Sequence, residues 1–351
     1  MARRTLAFSL VAVAIAFIVL ASGCQTSSTE GTSAKSRSGS KTAGPLVVYS
    51  GRKEKLFLPV VERFEKKTGI DVQLKQGATA ELAATILEEQ PNPRADIFLS
   101  QEAGFLDRLR REGALLPYKP KNFDLVEEDF RADDGSWIGV SGRARVIMYN
   151  KNLVKPADLP DSVFDLTDPR WKGKIAMASS REASVVGWIS SLRLLKGDNF
   201  TREFLKELVE NQITVLENHT LVRKAVGKGE FSLGYVNHYY YHLELKERAP
   251  VGVIYPDQGD DEVGVLVNVG GMGILKGAKH VEAAKEFLDF VTDPEAQDLF
   301  ARNNFEYPTI PSVKPVDALP LDRFKRSPVK LEQLGAEVDK SLDVLEEQGI
   351  R

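Results

Sequence analysis

Hydrophobic and polar positions along the chain switch repeatedly between a two-residue and a 3.6-residue period. LVVYS (46–50) is a short apolar run, and the segment after it has helical spacing through Leu56, Val60, Val61 and Phe64. Pro59 fits such a helix only in its first turn, so the pattern predicts a late start. Thr68-Gly69 ends it, because glycine takes the left-handed C-terminal cap at little cost. IDVQL (70–74) alternates as a strand, AELAATILEEQ (80–90) is helical and ADIFLS (95–100) is a buried strand. The pattern resumes with GVSGRARVIMYN (139–150), KIAMA (174–178), helices over 182–196 and 201–210, and the strands ITVLE (213–217) and FSLGYV (231–236). After the long apolar run VGVLVNVGGMGIL (263–275) come HVEAAKEFLDFVTDPEAQDLFARNN (280–304) and an amphipathic segment over 331–347. Strands alternating with helices at this spacing predict an α/β layer structure with a largely parallel sheet.

Two extended stretches, around 137–149 and 263–275, are long enough to carry the chain between lobes. One lobe would hold 45–138 plus 264–351 and the other 139–263. Lobe interfaces and the carboxyl ends of parallel strands are where such architectures bind ligands. VNHYYYHLEL (236–245) falls at such a place, with Asn237 as N-cap and HYYYHLELKER as a helix stopped by Pro250. Neither helix nor strand can turn three consecutive side chains to one face. At least one of Tyr239, Tyr240 and Tyr241 must therefore face away from the core, and a strand-to-helix corner directs them toward the cleft.

The amino terminus is of another kind. Arg3 and Arg4 precede a stretch from Leu6 to Leu20 that is apolar except for Ser9, and small residues follow up to Cys24. This reads as a secretory signal, too short for the roughly 17–25 residues of a membrane span. The LASGC ending resembles a bacterial lipoprotein signal, with Cys24 as the lipidated first residue. Residues 25–44 are mostly Ser, Thr, Gly and Lys and read as a flexible tether. The body is thus expected outside the cytoplasm, lipid-anchored in the periplasm or at the cell surface.

Composition narrows the chemistry. The chain has 351 residues, enough for about two domains, and 42% of them are hydrophobic. A net charge of −3 argues against nucleic acid as partner, and a single cysteine excludes an intrachain disulfide or a Cys-rich metal cluster. His238 and His242 are spaced like the histidines of a zinc protease. Tyr239 stands where that motif needs glutamate, and no general base is evident, so an enzyme is not expected. GDDE (259–262) could supply carboxylates to an organic cation such as a polyamine or thiamine, gripped by tyrosine faces. A structural or signalling lipoprotein that kept the fold is a further class.

VVYSGR, ADIFLSQEAG, SGRARVIMYNK, DLTDPRWKGKI, VNHYYYH, LVNVGGMGILKGAKHVEAAKEFLDFV and DPEAQDLFA followed by EYP stand in an order that covers nearly the whole body. In this the chain resembles the ferric-ion-binding members of the bacterial periplasmic solute-binding proteins, which serve ABC importers. The resemblance implies the type II periplasmic binding fold, two α/β lobes with a ligand cleft between them, and Fe(3+) as transported ligand. It implies an inner-membrane permease and its ATPase as partners of a monomeric binding protein. It places the iron-binding tyrosine pair at Tyr239 and Tyr240, with Tyr241 left for packing or the cleft rim. Phenolate is the hard oxygen ligand that a small trivalent cation prefers.

The chain departs from the family at two positions, carrying Lys53 where well-known members have a metal-binding His and Gln101 where they have Glu. The loop that holds a helper anion in those members corresponds to SSRE, 179–182. Ser179 and Glu182 there have the spacing of a capping box, which would simply start the next helix. Ser180 and Arg181 are the candidate anion holders, and Glu182 is a secondary candidate for the site. His219 in ENHT lines up with a family position near the anion. Two phenolates would then bind the metal while carbonate, phosphate or citrate completes the shell, held by Arg52, Lys53 and Arg181, unless the ligand is a preassembled iron chelate.

Overall fold

The apolar runs become strands and the amphipathic segments helices, almost at the expected boundaries. The computed structural model describes residues 44–351. Cys24, the signal and nearly all of the tether lie outside the described residues. In chain order the strands are β1 (Leu46–Ser50), β2 (Val72–Gln76), β3 (Ile97–Ser100), β4 (Leu115–Leu116), β5 (Ile138–Asn150), β6 (Ile175–Ala178), β7 (Thr214–Leu216), β8 (Leu233–Asn237), β9 (Val251–Ile254) and β10 (Val267–Leu275). The α-helices are α1 (Glu54–Thr68), α2 (Thr79–Glu88), α3 (Ala103–Arg111), α4 (Ala183–Lys196), α5 (Asp198–Glu210), α6 (His219–Lys228), α7 (His238–Lys246), α8 (Val281–Val291), α9 (Pro294–Asn304) and α10 (Val338–Glu347). None of these helices is long and apolar enough to cross a membrane.

The sheet runs β2-β1-β3-β10-β5-β8-β6-β7, with β4 on β10 and β9 on β5. It is mixed, which corrects the expectation of a largely parallel one. The parallel pairs are β1–β2, β1–β3, β6–β7 and β6–β8. Every pair that involves β5 or β10 is antiparallel. The reason is that these two long buried strands return through the middle of the sheet between the two parallel sets. β5 pairs with β10 through Ile138–Ala144 and with β8 through Arg145–Tyr149, so one strand joins both sets. The register of β10 against β5 shifts between Gly270 and Gly271, where an extra residue bends the strand.

In α1, Pro59 lies inside the helix, because the helix already starts at Glu54. This overturns the late start. The ring costs a helix interior about 3 kcal/mol. The helix buries Phe57, Val60, Val61 and Phe64, each worth roughly 1.5–3 kcal/mol when removed from water. Tertiary packing wins: Phe57 stacks on Phe300, and Phe64 meets Phe287 edge-on at 4.7 Å. Gly69 ends the helix as expected, with φ 75° and its N–H on the Glu65 carbonyl.

The carboxy-terminal segment divides into a 3-10 stretch, Leu331–Glu337, and α10. Gly335 passes so close to α3 that a Cβ there would lie 2.4 Å from Asp107 Oδ2. Beyond it the chain packs on α4, where Ser190 Oγ donates to Ser341 Oγ at 2.9 Å and Arg193 pairs with Glu337 at 3.0 Å. Between α9 and this segment, Tyr307 is bonded both ways to Gly142 of β5, N–H to carbonyl at 2.9 and 2.7 Å. That clamp fixes the neighbouring Glu306 next to the start of α1.

Candidate functional site

Six strand-to-helix corners, β1–α1, β2–α2, β3–α3, β6–α4, β7–α6 and β8–α7, contribute to one cavity of about 420 Å³. Strands that end at a common edge place the first turns of the following helices around the same space. The residues before α1, α2, α4 and α7 are Lys53, Ala78, Glu182 and Asn237, and none of them makes a side-chain cap. The free amide groups of those first turns favour negative charge nearby.

Tyr239 and Tyr240 enter this cavity from the first turn of α7. Asn237 has the extended backbone of an N-cap, but its side chain accepts from Arg145 Nη1 at 3.3 Å instead of capping. Both tyrosines are buried, with 5% and 6% of their surface exposed, and their ring centroids lie 4.2 Å apart. Burial pushes the Tyr239 phenol up to about 12, with Glu306 adding to the rise and Arg143 opposing it. Burial, then Tyr239 and then Glu182, raise Tyr240 well above the ordinary phenol value. Their surroundings therefore favour the neutral phenols, and only a strongly bound cation would ionise them. Tyr241 faces elsewhere. It lines a separate pocket of about 330 Å³ with His242 and Phe305, so the triplet divides two and one.

Lys53, Gln101, Arg181 and Glu182 also line the cavity, while Ser180 and His219 do not. Arg52 reaches it too, but its charge is spent. The side chain is buried, ion-paired with Glu306, and donates to Ser141 Oγ at 3.1 Å. That takes Arg52 out of the set of free cations. Lys53 is exposed and donates across to Thr220 Oγ1 at 3.0 Å. Gln101 is tied through its backbone N–H to Thr79 Oγ1 at 3.4 Å. The capping box does not form. Ser179 Oγ donates to the Glu217 carbonyl at 3.1 Å, and α4 starts without a side-chain cap.

His219 is buried behind Tyr240, with ring centroids 5.4 Å apart. Its Nε2 lies 3.3 Å from Arg145 Nη1 and 2.9 Å from Ser184 Oγ. A guanidinium only donates, so Nε2 accepts and the proton sits on Nδ1, which has no partner among the described residues. Burial and Arg145 hold this imidazole well below its ordinary value. His238 uses both ring nitrogens, accepting from Ala144 N at 3.1 Å and donating to the Phe305 carbonyl at 2.8 Å. Neither nitrogen is left for a metal. GDDE closes on itself, Glu262 accepting from Gly259 N at 2.6 Å, and does not reach the cavity.

Three residues that shape the site were not singled out from the sequence: Arg143, Arg145 and Glu306. Arg143 and Arg145 are buried on β5, and Arg143 Nη1 has no partner among the described residues. The signal was present in GRAR, because two arginines two apart share one face of a strand that is otherwise apolar. Glu306 was inside the EYP motif. Among the described residues no three His, Cys, Asp or Glu side chains are placed to hold a metal ion. A metal in this cavity would depend on phenol oxygens, on a single carboxylate such as that of Glu182, and on donors it brings with it.

Residues 92–329 match the family of bacterial extracellular solute-binding proteins. Iron uptake protein A1 of Synechocystis sp. is 33% identical over 314 residues, 86% of this chain and 86% of that protein. The structure of iron-bound HitA from Pseudomonas aeruginosa is similar with a TM-score of 0.81 and 29% identity, over 87% of this chain and 99% of that one. The Trichodesmium protein IdiA (FutA), in complex with iron and citrate ligands, is similar with a TM-score of 0.73 and 31% identity, over 88% and 100%.

Proposed function

The chain belongs to the bacterial extracellular solute-binding proteins, a transport rather than a catalytic family with the two-lobed type II periplasmic fold, and from this premise we propose that it binds ferric iron for uptake. The observation that carries the reading is the pair of adjacent buried phenols, Tyr239 and Tyr240, on the first turn of α7 in one cavity. They supply two hard, ionisable oxygens to a site whose helix termini favour anions. The iron-related names of similar proteins support the cargo.

The remaining coordination positions are filled by an exogenous anion such as carbonate, phosphate or citrate, or by the donors of an iron chelate. A cavity of about 420 Å³ is roomy for a bare ion. Among the described residues Lys53 and Arg181 are the cavity cations not held in an ion pair, and they hold the anion with Gln101. The lobes, 45–138 plus 264–351 and 139–263, close on the cargo. Cys24 anchors the monomer by a lipid, and a permease with its ATPase accepts the iron. The organic-cation reading has lost its acidic loop, since GDDE lies outside the cavity.

The test is ferric loading with carbonate, phosphate or citrate, followed by the visible spectrum and elemental analysis. The wild type should develop the phenolate-to-iron charge-transfer band. Tyr239→Phe and Tyr240→Phe keep the ring and remove the ligand oxygen, and each should lose most of the band and at least about 100-fold in affinity. A wild type that takes up no iron and shows no band under any of the three anions would sink the reading.

A further inference from the structure

We infer that the Glu182 carboxylate is a third protein ligand to the ferric ion, a role distinct from helix capping or from holding a helper anion. The inference rests on the ferric reading of the tyrosine pair. Three glutamates line the cavity, Glu81, Glu182 and Glu217. Glu81 and Glu217 are exposed, whereas Glu182 is partly buried. Its charge is among those that raise both Tyr239 and Tyr240.

Its bonding is unfinished. Glu182 stands immediately before α4 yet makes no side-chain cap. Its one hydrogen bond is long, 3.4 Å from His219 N to Oε1. Among the described residues it forms no ion pair, and Lys53, Arg145 and Arg143 act on it only through space. A carboxylate held partly out of water without a close cation is costly unless a cation joins it. The cavity is where that cation would sit.

Charge balance points the same way. Two phenolates leave a ferric ion with one positive charge, and one carboxylate brings the cluster to neutrality. A neutral cluster is the arrangement least penalised by partial burial. Carboxylate oxygen is also a hard donor, suited to the same metal as phenolate. An anion brought by the cargo then fills positions that remain, but is not required to neutralise the metal.

The experiment loads iron by air oxidation of ferrous chloride in carbonate-depleted, phosphate-free buffer. Wild type is compared with Glu182→Ala and Glu182→Gln, and added acetate serves as the probe. The wild type should form the charge-transfer band without added anion. Glu182→Ala should lose at least about 10-fold in affinity and shift the band to longer wavelength, because the metal loses an anionic donor. Acetate should restore affinity and band to Glu182→Ala, whose vacated space admits it, and not to Glu182→Gln, whose amide fills that space. Iron-free melting temperatures of all three should agree within a few degrees.

Glu182→Ala with wild-type affinity and band position would overturn the assignment. So would an affinity loss that acetate leaves untouched and that accompanies a lower iron-free melting temperature, the signature of a structural role. A wild type that never shows the band, with Tyr239→Phe indistinguishable from it, removes the iron reading and this one with it. A band that Tyr239→Phe abolishes and Glu182→Ala leaves unchanged removes only the role of Glu182.

Discussion

Glu102 and Glu182 occupy the same local position, each just after a buried strand and just before a helix, and they have opposite fates. Glu102 accepts from Gly104 N at 2.9 Å and from Asn268 Nδ2, and is fully buried. It caps α3 and ties that helix to β10. The Glu182 carboxylate caps nothing and, among the described residues, accepts a single long bond. A helix N-terminus that carries its own acceptor is structural, and one left open keeps its side chain available for chemistry. Residue type and spacing do not separate the two cases. What separates them is whether a donor such as Asn268 stands opposite.

Removing the carboxylates breaks this comparison most directly. Glu102→Ala strands the Asn268 amide and the Gly104 N–H in the core, and should cost about 2–4 kcal/mol in urea denaturation of the metal-free protein. Glu182→Ala should cost less than about 1 kcal/mol in the same measurement. Equal losses would mean that Glu182 is as structural as Glu102.

The pH dependence sharpens the contrast. Burial raises the Glu102 carboxyl from its ordinary 4.5 to about 7, with Asn268, Gly104 and Arg143 opposing the rise. The folded state therefore binds a proton between these values that the unfolded state does not. Its contribution to stability is fully present below 4.5 and is lost as pH rises through about 7. Relative to Glu102→Gln, the metal-free wild type should gain up to about 3 kcal/mol as pH falls through that window. Parallel stability profiles for the two proteins would refute the assignment.

The smallest effect tests the same contrast within α7. Tyr241 lies outside the cavity. Tyr241→Phe should change iron affinity by less than about threefold, against the large losses at its two neighbours. A comparable loss at Tyr241 would move the dyad by one residue.

Much of this was legible in the sequence, for physical reasons that can be named. The apolar runs at 46–50, 97–100 and 233–236 and the helical spacing through Val60, Val61 and Phe64 report burial, which local periodicity encodes; the face opens with Phe57, where the spacing pointed to Leu56. The tyrosine corner was legible because FSLGYV ends at Asn237 and three consecutive phenols cannot share a face. What was not legible depends on partners distant in sequence. Pro59 sits inside α1 because Phe300 and Phe287 hold that helix from about 230 residues away. Arg52 looked free and is neutralised by Glu306, which the clamp between Gly142 and Tyr307 brings to it. The antiparallel centre of the sheet was hidden because a buried strand reads the same in either direction.

The place of β10 also has a consequence for how the molecule is made. It lies between β3 and β5, although both of those strands are synthesised well before it. A growing chain that has reached β5 cannot yet join the β1–β3 set to the β8–β6 set, because the strand that separates them in the sheet is missing. The gap must stay open until Val267–Leu275 arrives, leaving the edges of β3 and β5 unpaired meanwhile. Native contacts of such long sequence separation slow folding and lengthen the life of open intermediates. The central pairing that joins the two parallel sets in the finished protein therefore forms late, and while it is absent the chain stays extensible.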